Sequence, residues 1–188
     1  MSATHRKPWT QAAFLDWAEM QDIRHEFDGI APVPIAGGTA RHSRIRGNLF
    51  AALHQRLRGT PCSYFGADLG IATIGNAIRF PDALITCTQF PGTERIAPDP
   101  VAVFEVLSPS TARIDRIVKV REYGAVASIQ HYVLLETSSA ALTHLARSGA
   151  NWQAEVLAEG DTLTLGALGM VVPLAGLFEG VVFDAAET

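Results

Sequence analysis

FPDALI at residues 80–85 and VAVFEVLS at residues 101–108 are the two stretches from which the fold of this chain can be inferred. Both are short runs of apolar, strand-forming residues, and each holds one carboxylate, Asp82 in the first and Glu105 in the second. A charge inside an apolar strand costs free energy unless a cation or hydrogen-bond donors compensate it. If the two strands are neighbours, their carboxylates converge at one edge of the sheet, and this is the main functional signal.

The segment after the second stretch predicts a parallel crossover. The sequence SPST at residues 108–111 ends the strand and provides a helix N-cap, and residues 131–136 are again strongly β-prone. Residues 101–136 therefore predict strand, helix and parallel strand, joined with the usual right-handed connection. We expect the helix to bury an apolar stripe made of Ile114, Ile117, Val118 and Tyr123.

The other segments predict helices and strands on both sides of this crossover. Thr10 caps a short helix, and residues 24–35 predict a hairpin that turns at Asp28-Gly29. Residues 39–58 form the clearest amphipathic helix, with Ile45, Leu49, Leu53 and Leu57 on its apolar face. The remaining predicted elements are strands at 62–65, 68–74 and 77–87, a hairpin at 141–147 and 152–157, and a capping helix that is compatible with 171–178.

Length and composition predict a single domain spanning residues 1–188, since a chain of 188 residues encloses one sizeable core. The chain is 48% apolar, has a formal net charge of −4 and contains no apolar run long enough to cross a bilayer. The acidic balance argues against a protein that coats nucleic acid non-specifically, but it is compatible with a local basic patch. Residues 1–10 lack the apolar region of a signal peptide, so we expect a cytoplasmic protein.

Cys62 and Cys87 have neither CxxC spacing nor partner histidines. We therefore predict two isolated, buried thiols, and neither a disulfide nor a zinc site.

Asp82 and Glu105 offer the hard oxygen ligands that Mg²⁺ or Mn²⁺ prefers. Such an ion would bind weakly until a phosphate completes its shell, and would then lower the pKa of a bound water and stabilise charge on a phosphodiester. Lys119, on the helix that leaves the second strand, is placed to point back toward the same edge, where an ammonium orients water or neutralises the transition state. The alternative is that Lys119 only pairs with Asp115, four residues earlier, in an exposed helix contact.

Glu26, His42 and Asp68 are further polar residues at the edges of predicted elements. By spacing alone, such residues are more often solvated or capping groups than functional ones. We expect His131 and Glu136 to lie at the ends of a strand and to carry no chemistry.

Taken in order, these residues resemble the Uma-two type family of predicted bacterial endonucleases, which belongs to the PD-(D/E)XK restriction-endonuclease-like superfamily. The similarity runs from Arg24 to Glu136, and the EVLSPS segment at 105–110 is its most specific part. The matching residues are HEFDG at 25–29, His42, Pro81, Asp82, FEVLSPST at 104–111, Asp115, Arg116, Lys119 and Tyr123.

The resemblance implies a mixed α/β fold with a restriction-endonuclease-like core, in which helices flank a central mixed sheet. It also implies a Mg²⁺-dependent site that hydrolyses phosphodiesters. Asp82 and Glu105 would be its metal ligands, Glu26 would match an additional acidic residue, and His42 would approach the substrate.

A departure from the superfamily pattern concerns the catalytic lysine. The usual lysine two residues after the acidic residue is absent, because that position is Leu107. By resemblance, Lys119 takes the role from the following helix, which requires its amine to lie within a few ångströms of both carboxylates.

The leading hypothesis is therefore a Mg²⁺- or Mn²⁺-dependent endonuclease acting on DNA. A homodimer would suit it, since a two-fold axis matches that of a duplex cut on both strands. The alternative is a catalytically inactive nuclease-fold module that binds nucleic acid or a partner. The excess of acidic over basic residues favours this alternative. A metal-free hydrolase using His42 has no Ser or Cys nucleophile motif to support it.

Overall fold

The computed structural model describes residues 8–35 and 37–183, and its centre is a six-stranded mixed sheet. The strands, in chain order, are β1 (His25–Phe27), β2 (Pro32–Pro34), β3 (Ser63–Gly66), β4 (Ile71–Ala72), β5 (Ile78–Arg79), β6 (Ala83–Thr86), β7 (Pro100–Val106), β8 (His131–Leu135), β9 (Leu142–Ser148), β10 (Asn151–Leu157), β11 (Thr162–Leu165) and β12 (Met170–Pro173). The central sheet has the order β10–β9–β8–β7–β6–β3, a second sheet has the order β2–β1–β5–β4, and β11 pairs with β12.

Helices flank both faces of the central sheet. They are α1 (Gln11–Ala18), α2 (Ala40–Leu57), a π-helical turn (Ile114–Lys119) that continues into α3 (Val120–Gly124), and the short α4 (Leu174–Leu177). The apolar face of α2 packs on one side of the sheet against residues such as Ile85 and Phe104. Tyr123 of α3 packs on the other side, with Val103 and Tyr132. The predicted fold class, a central mixed sheet flanked by helices, is confirmed.

The predicted crossover is also confirmed. β7 and β8 are parallel neighbours, with Glu105 opposite Leu134, and the helical segment between them crosses over one face. β6 pairs antiparallel with β7, with Ala83 opposite Phe104, so the two stretches that carry the carboxylates are adjacent strands.

The amphipathic helix and the first hairpin agree with the sequence prediction. Thr39 caps α2 by accepting a hydrogen bond from the backbone N–H of His42, and the residues buried along the helix are Ile45, Leu49, Leu53 and Leu57. β1 and β2 form the antiparallel hairpin expected for residues 24–35, with β2 at the sheet edge.

Residues 77–87 were predicted as one strand, and this was wrong. They form β5 and β6, which belong to different sheets. Pro81 lies between them, and because proline has no N–H it cannot continue a ladder. Of the strand predicted at 68–74, only the two residues of β4 form a strand. The segment 171–178, compatible with a helix, contains the end of β12 and then the short helix α4.

The buried stripe predicted for the crossover helix is wrong at three of its four positions. Tyr123 is fully buried, but Ile114, Ile117 and Val118 keep 38%, 62% and 42% of their exposure. The helix begins with a π-helical turn, and the side that faces the sheet carries Asp115, Lys119 and Tyr123, which are four residues apart. The buried residues of this turn are Asp115 and Lys119.

The prediction of two isolated thiols is also wrong. Cys62 and Cys87 form a disulfide, with their Cα atoms 3.9 Å apart. The pairing follows from the register of β3 and β6, in which Ser63 lies opposite Thr86, so the residues just beyond this pair face each other. Strand pairing is a tertiary property, which the spacing of the two cysteines does not reveal.

Within residues 8–35 and 37–183, no helix has both the length and the apolar character needed to cross a membrane. Residues 1–7, on which the expectation of a cytoplasmic protein partly rests, lie outside the described residues.

Candidate active site

Asp82 lies directly before β6, beside the end of β7. Its Oδ2 accepts a hydrogen bond of 2.8 Å from the backbone N–H of Val106 and lies 3.3 Å from Nε2 of His42. Its Oδ1 lies 3.7 Å from a guanidinium nitrogen of Arg46. His42 and Arg46 are one turn apart on α2, so the start of this helix supplies the polar surroundings of Asp82.

Glu105 lies on β7 and is almost completely buried. Its Oε1 accepts hydrogen bonds from Nζ of Lys119 at 2.8 Å and from the hydroxyl of Tyr123 at 3.2 Å. Burial raises the pKa of Glu105 from its ordinary 4.5 to about 8; Lys119 opposes this shift, and the nearby carboxylates of Asp115, Asp82 and Glu26 add to it. The site therefore holds more negative charge than one ammonium balances.

Lys119 joins three carboxylates. Its Nζ lies 2.8 Å from Oε1 of Glu105, 3.0 Å from Oε1 of Glu26 and 3.1 Å from Oδ1 of Asp115. Burial by itself lowers the pKa of the ammonium, but these carboxylates outweigh it and hold the pKa of Lys119 well above its ordinary value. We call these four residues the acid–lysine cluster.

Lys119 reaches Glu105 from the helical segment that follows β7. Asp115 and Lys119 begin and end one turn and point to the same side, so both enter the cluster. The hydroxyl of Tyr132 on β8 donates a hydrogen bond of 3.0 Å to the backbone carbonyl of Asp115, which fixes the turn to the sheet. The contact between Lys119 and Asp115 thus exists, but it is buried and occurs together with the contact to Glu105.

Glu26 is held from several sides. Oε1 accepts from the backbone N–H of Phe80 at 3.3 Å and contacts Lys119, while Oε2 accepts from Arg79 at 3.1 Å. Arg79 in turn donates two hydrogen bonds, of 2.6 and 2.8 Å, to the carboxylate of Glu122 on α3. An alternating chain of charges therefore runs from α3 through the second sheet into the cluster.

The structure brings together all five predicted site residues along one cleft of about 630 Å³. They are Asp82, Glu105, Lys119, Glu26 and His42. The contacts of Lys119 reach Glu105 but not Asp82, which pairs with His42 instead. Asp68 lies outside the cluster: its side chain is fully exposed and lies 4.0 Å from Arg24. His131 makes hydrogen bonds with His144 and with the backbone N–H of Ala167, away from this cleft.

Arg79 and Arg46 take part in this site, although the sequence did not single them out for it. Asp115, which the sequence offered as a partner of Lys119 in an exposed helix contact, is buried in the cluster. Arg79 carries the same signal as Glu105, a charge inside an apolar strand. A second overlooked signal is composition: the chain has two lysines, Lys7 and Lys119, among 15 basic residues. Lysine is rare in this chain, and a compact ammonium fits between three carboxylates.

The oxygen atoms near Asp82 and Glu105 suit a divalent cation. In the described part of the chain, no three His, Cys, Asp or Glu side chains form a ready-made metal site. Both hydrogen bonds to the Glu105 side chain reach Oε1, which leaves Oε2 for a ligand. Hard carboxylate oxygens with an excess of negative charge fit Mg²⁺ or Mn²⁺, two ions that commonly keep water and phosphate in their shells.

A mixed sheet of this order, flanked by helices and with this cleft at its strand ends, is a restriction-endonuclease-like fold. The fold matches a crystal structure described as "a putative nuclease belonging to DUF820" from Anabaena variabilis, with a TM-score of 0.70 and 16% identity. The match covers 93% of this chain and 100% of that chain.

Residues 11–175 match the family model described as "Uma2: Putative restriction endonuclease", and the chain belongs to this family. Two uncharacterized proteins of Synechocystis are similar along much of their length. One is 28% identical over 179 residues, which cover 90% of this chain and 91% of the relative. The other is 26% identical over 144 residues, which cover 74% of this chain and 81% of the relative.

Proposed function

We propose that this protein is a metal-dependent endonuclease that hydrolyses phosphodiester bonds of DNA. The observation that carries the proposal is the contact of 2.8 Å between Lys119 and Glu105, made beside Asp82 at the ends of two adjacent strands. The printed descriptions of the family and of the similar crystal structure support the same class of activity.

Asp82 and Glu105 are the residues that would hold Mg²⁺ or Mn²⁺. A bound ion would activate a water molecule and stabilise charge on the phosphate. Glu105 would coordinate through Oε2, because Oε1 is engaged by Lys119 and Tyr123. The backbone N–H of Val106 orients Asp82, and His42, which also lines the cleft, contacts the same oxygen.

Lys119 acts as a fixed cation in this proposal. Its raised pKa keeps the ammonium protonated, so it stabilises negative charge or orients a water molecule and does not remove a proton. Glu26 is a positioning residue, since Arg79 and the Phe80 N–H hold its carboxylate against Lys119.

A cleavage assay tests the proposal. Supercoiled plasmid and oligonucleotides should be cut with Mg²⁺ or Mn²⁺ and left intact with a chelator. Asp82→Asn and Glu105→Gln should each reduce the rate by about 10²-fold or more, because each removes a metal ligand. The matched control is Asp68→Asn, which changes an exposed carboxylate outside the cluster. Equal rates in all four proteins would refute the assignment.

A second candidate is a nuclease-fold module that binds nucleic acid or a partner and does not turn over substrate. The observation in its favour is that one ammonium already contacts Glu26, Glu105 and Asp115, in a chain of net charge −4. Calorimetry separates the two candidates. Saturable Mn²⁺ binding that Asp82→Asn abolishes supports the enzyme, whereas salt-sensitive DNA binding without Mn²⁺ uptake supports the module.

A homodimer belongs to the same proposal. Two copies related by a two-fold axis would present one site to each strand of DNA. Light scattering of the purified protein measures the mass directly. A monomer at working concentration would refute the homodimer and leave the proposed metal site unaffected.

A further inference from the structure

The cluster and Asp82 lie at the bottom of a cleft rather than on an open face. The side chains of Lys119, Glu105 and Asp82 keep only 6%, 7% and 12% of their exposure. The cleft volume of about 630 Å³ is in the range of about 300–1,000 Å³ that is typical of small-molecule sites. A specific duplex interface instead buries about 1,000–2,500 Å² of strongly positive protein surface.

Few cations line this cleft. Lys119 is already engaged by three carboxylates, and Arg24 binds the carbonyl of Ala67 and lies 4.0 Å from Asp68. Arg46 is the available one: it is 36% exposed, and its contact in the described part of the chain is the distant one of 3.7 Å to Asp82. Proteins that hold a duplex commonly contact about 6–10 phosphates, which this lining cannot neutralise.

Apolar side chains form walls of the cleft. Ile23, before β1, Val33, on β2, and Ile114, on the π-helical turn, line the cleft with 58%, 36% and 38% exposure. Contact with such walls does not make binding of a charged backbone more favourable. It does favour binding of the faces of unpaired bases, because contact there removes apolar surface from water.

We infer that the cleft binds one nucleic-acid strand whose bases are unpaired, such as a single-stranded segment or a frayed end, and that Arg46 binds the phosphate beside Asp82. The inference rests on the proposed function, since it takes the ligand to be a nucleic acid. A guanidinium binds phosphate through paired, charge-assisted hydrogen bonds, which would replace its long contact with Asp82. The neighbouring bases lie against the apolar walls. In a homodimer, two such clefts would each take one strand of an opened duplex.

Binding measured without divalent metal tests this inference apart from catalysis. The probes are a short fluorescein-labelled oligodeoxynucleotide that does not pair with itself and the same strand annealed to its complement, each titrated with protein in EDTA. The single strand should bind at least about ten-fold more tightly than the duplex. Arg46→Ala should weaken single-strand binding by about ten-fold or more, since it removes a charge-assisted hydrogen bond. Arg58→Ala, at the exposed end of α2 outside the cleft, is the matched control and should leave it unchanged.

The salt dependence gives a second readout. Each phosphate contact to a single strand contributes about −0.7 to the slope of log K against log salt, so the contact by Arg46 predicts about −0.7. Arg46→Ala should reduce the size of this slope to near zero. A duplex that binds as tightly as the single strand, no binding of either probe, or an unchanged slope in Arg46→Ala would overturn the inference. If single strands bind as expected but nothing is cleaved with Mn²⁺, the inference holds and the proposed catalysis fails.

Discussion

At the scale of a single residue, Glu105 combines burial with several charged neighbours. It is nearly buried, it shares one oxygen between Lys119 and Tyr123, and three further carboxylates surround it. Breaking a buried ion pair by removing one partner typically costs about 3–5 kcal/mol, because the other charge is left uncompensated. Lys119 is therefore expected to contribute to the free energy of unfolding as well as being a candidate catalytic group.

The raised pKa of Glu105 predicts a pH-dependent stability. The folded-state pKa of about 8 lies above the ordinary 4.5, so its contribution to the free energy of unfolding is fully present below about 4.5 and is lost as pH rises through about 8. The free energy of unfolding of the wild type, measured relative to that of Glu105→Gln, should therefore fall as pH rises from about 4.5 to about 8. Urea titrations at several pH values measure it. Asp68→Asn keeps Glu105 and should show the same fall as the wild type, whereas a flat difference for Glu105→Gln would contradict the burial argument.

At the scale of elements, the crossover helix turns the side that carries Asp115, Lys119 and Tyr123 toward the sheet. The sequence predicts that the apolar stripe at Ile114, Ile117 and Val118 is buried. The observed turn instead buries Asp115 and Lys119 and leaves the three apolar side chains exposed. Ion pairing to β7 and the bond from Tyr132 hold this arrangement.

Two isoleucine substitutions test this orientation. Ile117→Ala should change the free energy of unfolding by no more than about 0.5 kcal/mol, because the side chain is 62% exposed. Ile45→Ala on α2 should cost about 2–5 kcal/mol, because that side chain is fully buried. Chemical denaturation of both variants measures the contrast. Equal losses would mean that the crossover helix buries its apolar stripe.

The disulfide between Cys62 and Cys87 joins the ends of β3 and β6. Reducing it should lower the free energy of unfolding by about 2–4 kcal/mol, since the open chain gains conformational freedom when unfolded. Urea titrations with and without dithiothreitol measure this loss. The double variant Cys62→Ser, Cys87→Ser should not respond to the reductant, and a wild type that is equally insensitive would show that the bond contributes nothing.

At the scale of the whole molecule, two sheets and two helices close on one cleft. The second sheet supplies Glu26 and Arg79, α2 supplies His42 and Arg46, and the central sheet with the crossover helix supplies the rest. Because the participants come from distant segments, binding in the cleft should stabilise the fold as a unit.

Mn²⁺ should therefore raise the melting temperature of the wild type. At a free concentration ten times the dissociation constant, one site adds about 1.4 kcal/mol. The shift should be larger above pH 8 than below it, because the ion requires the ionised form of Glu105, whose pKa is raised to about 8. Differential scanning fluorimetry measures it, with Asp82→Asn as the comparison. An equal shift in that variant would place the ion elsewhere.

The sequence by itself determined much of the fold and the choice of site residues. Apolar runs with one carboxylate each located Asp82 at the start of one strand and Glu105 on the next. The four-residue repeat located α2, and the order of strand, helix and strand located the parallel crossover. These features are local, because periodicity and turn residues act over a few positions along the chain.

Only the tertiary structure decided which groups meet. It turned Asp115 and Lys119 inward, tied Glu26 to Arg79 and Glu122, paired Cys62 with Cys87, and set the catalytic candidates at the bottom of a cleft with apolar walls. Each of these depends on contacts between residues far apart in sequence, since a buried charge is tolerated only where its partner arrives from another element.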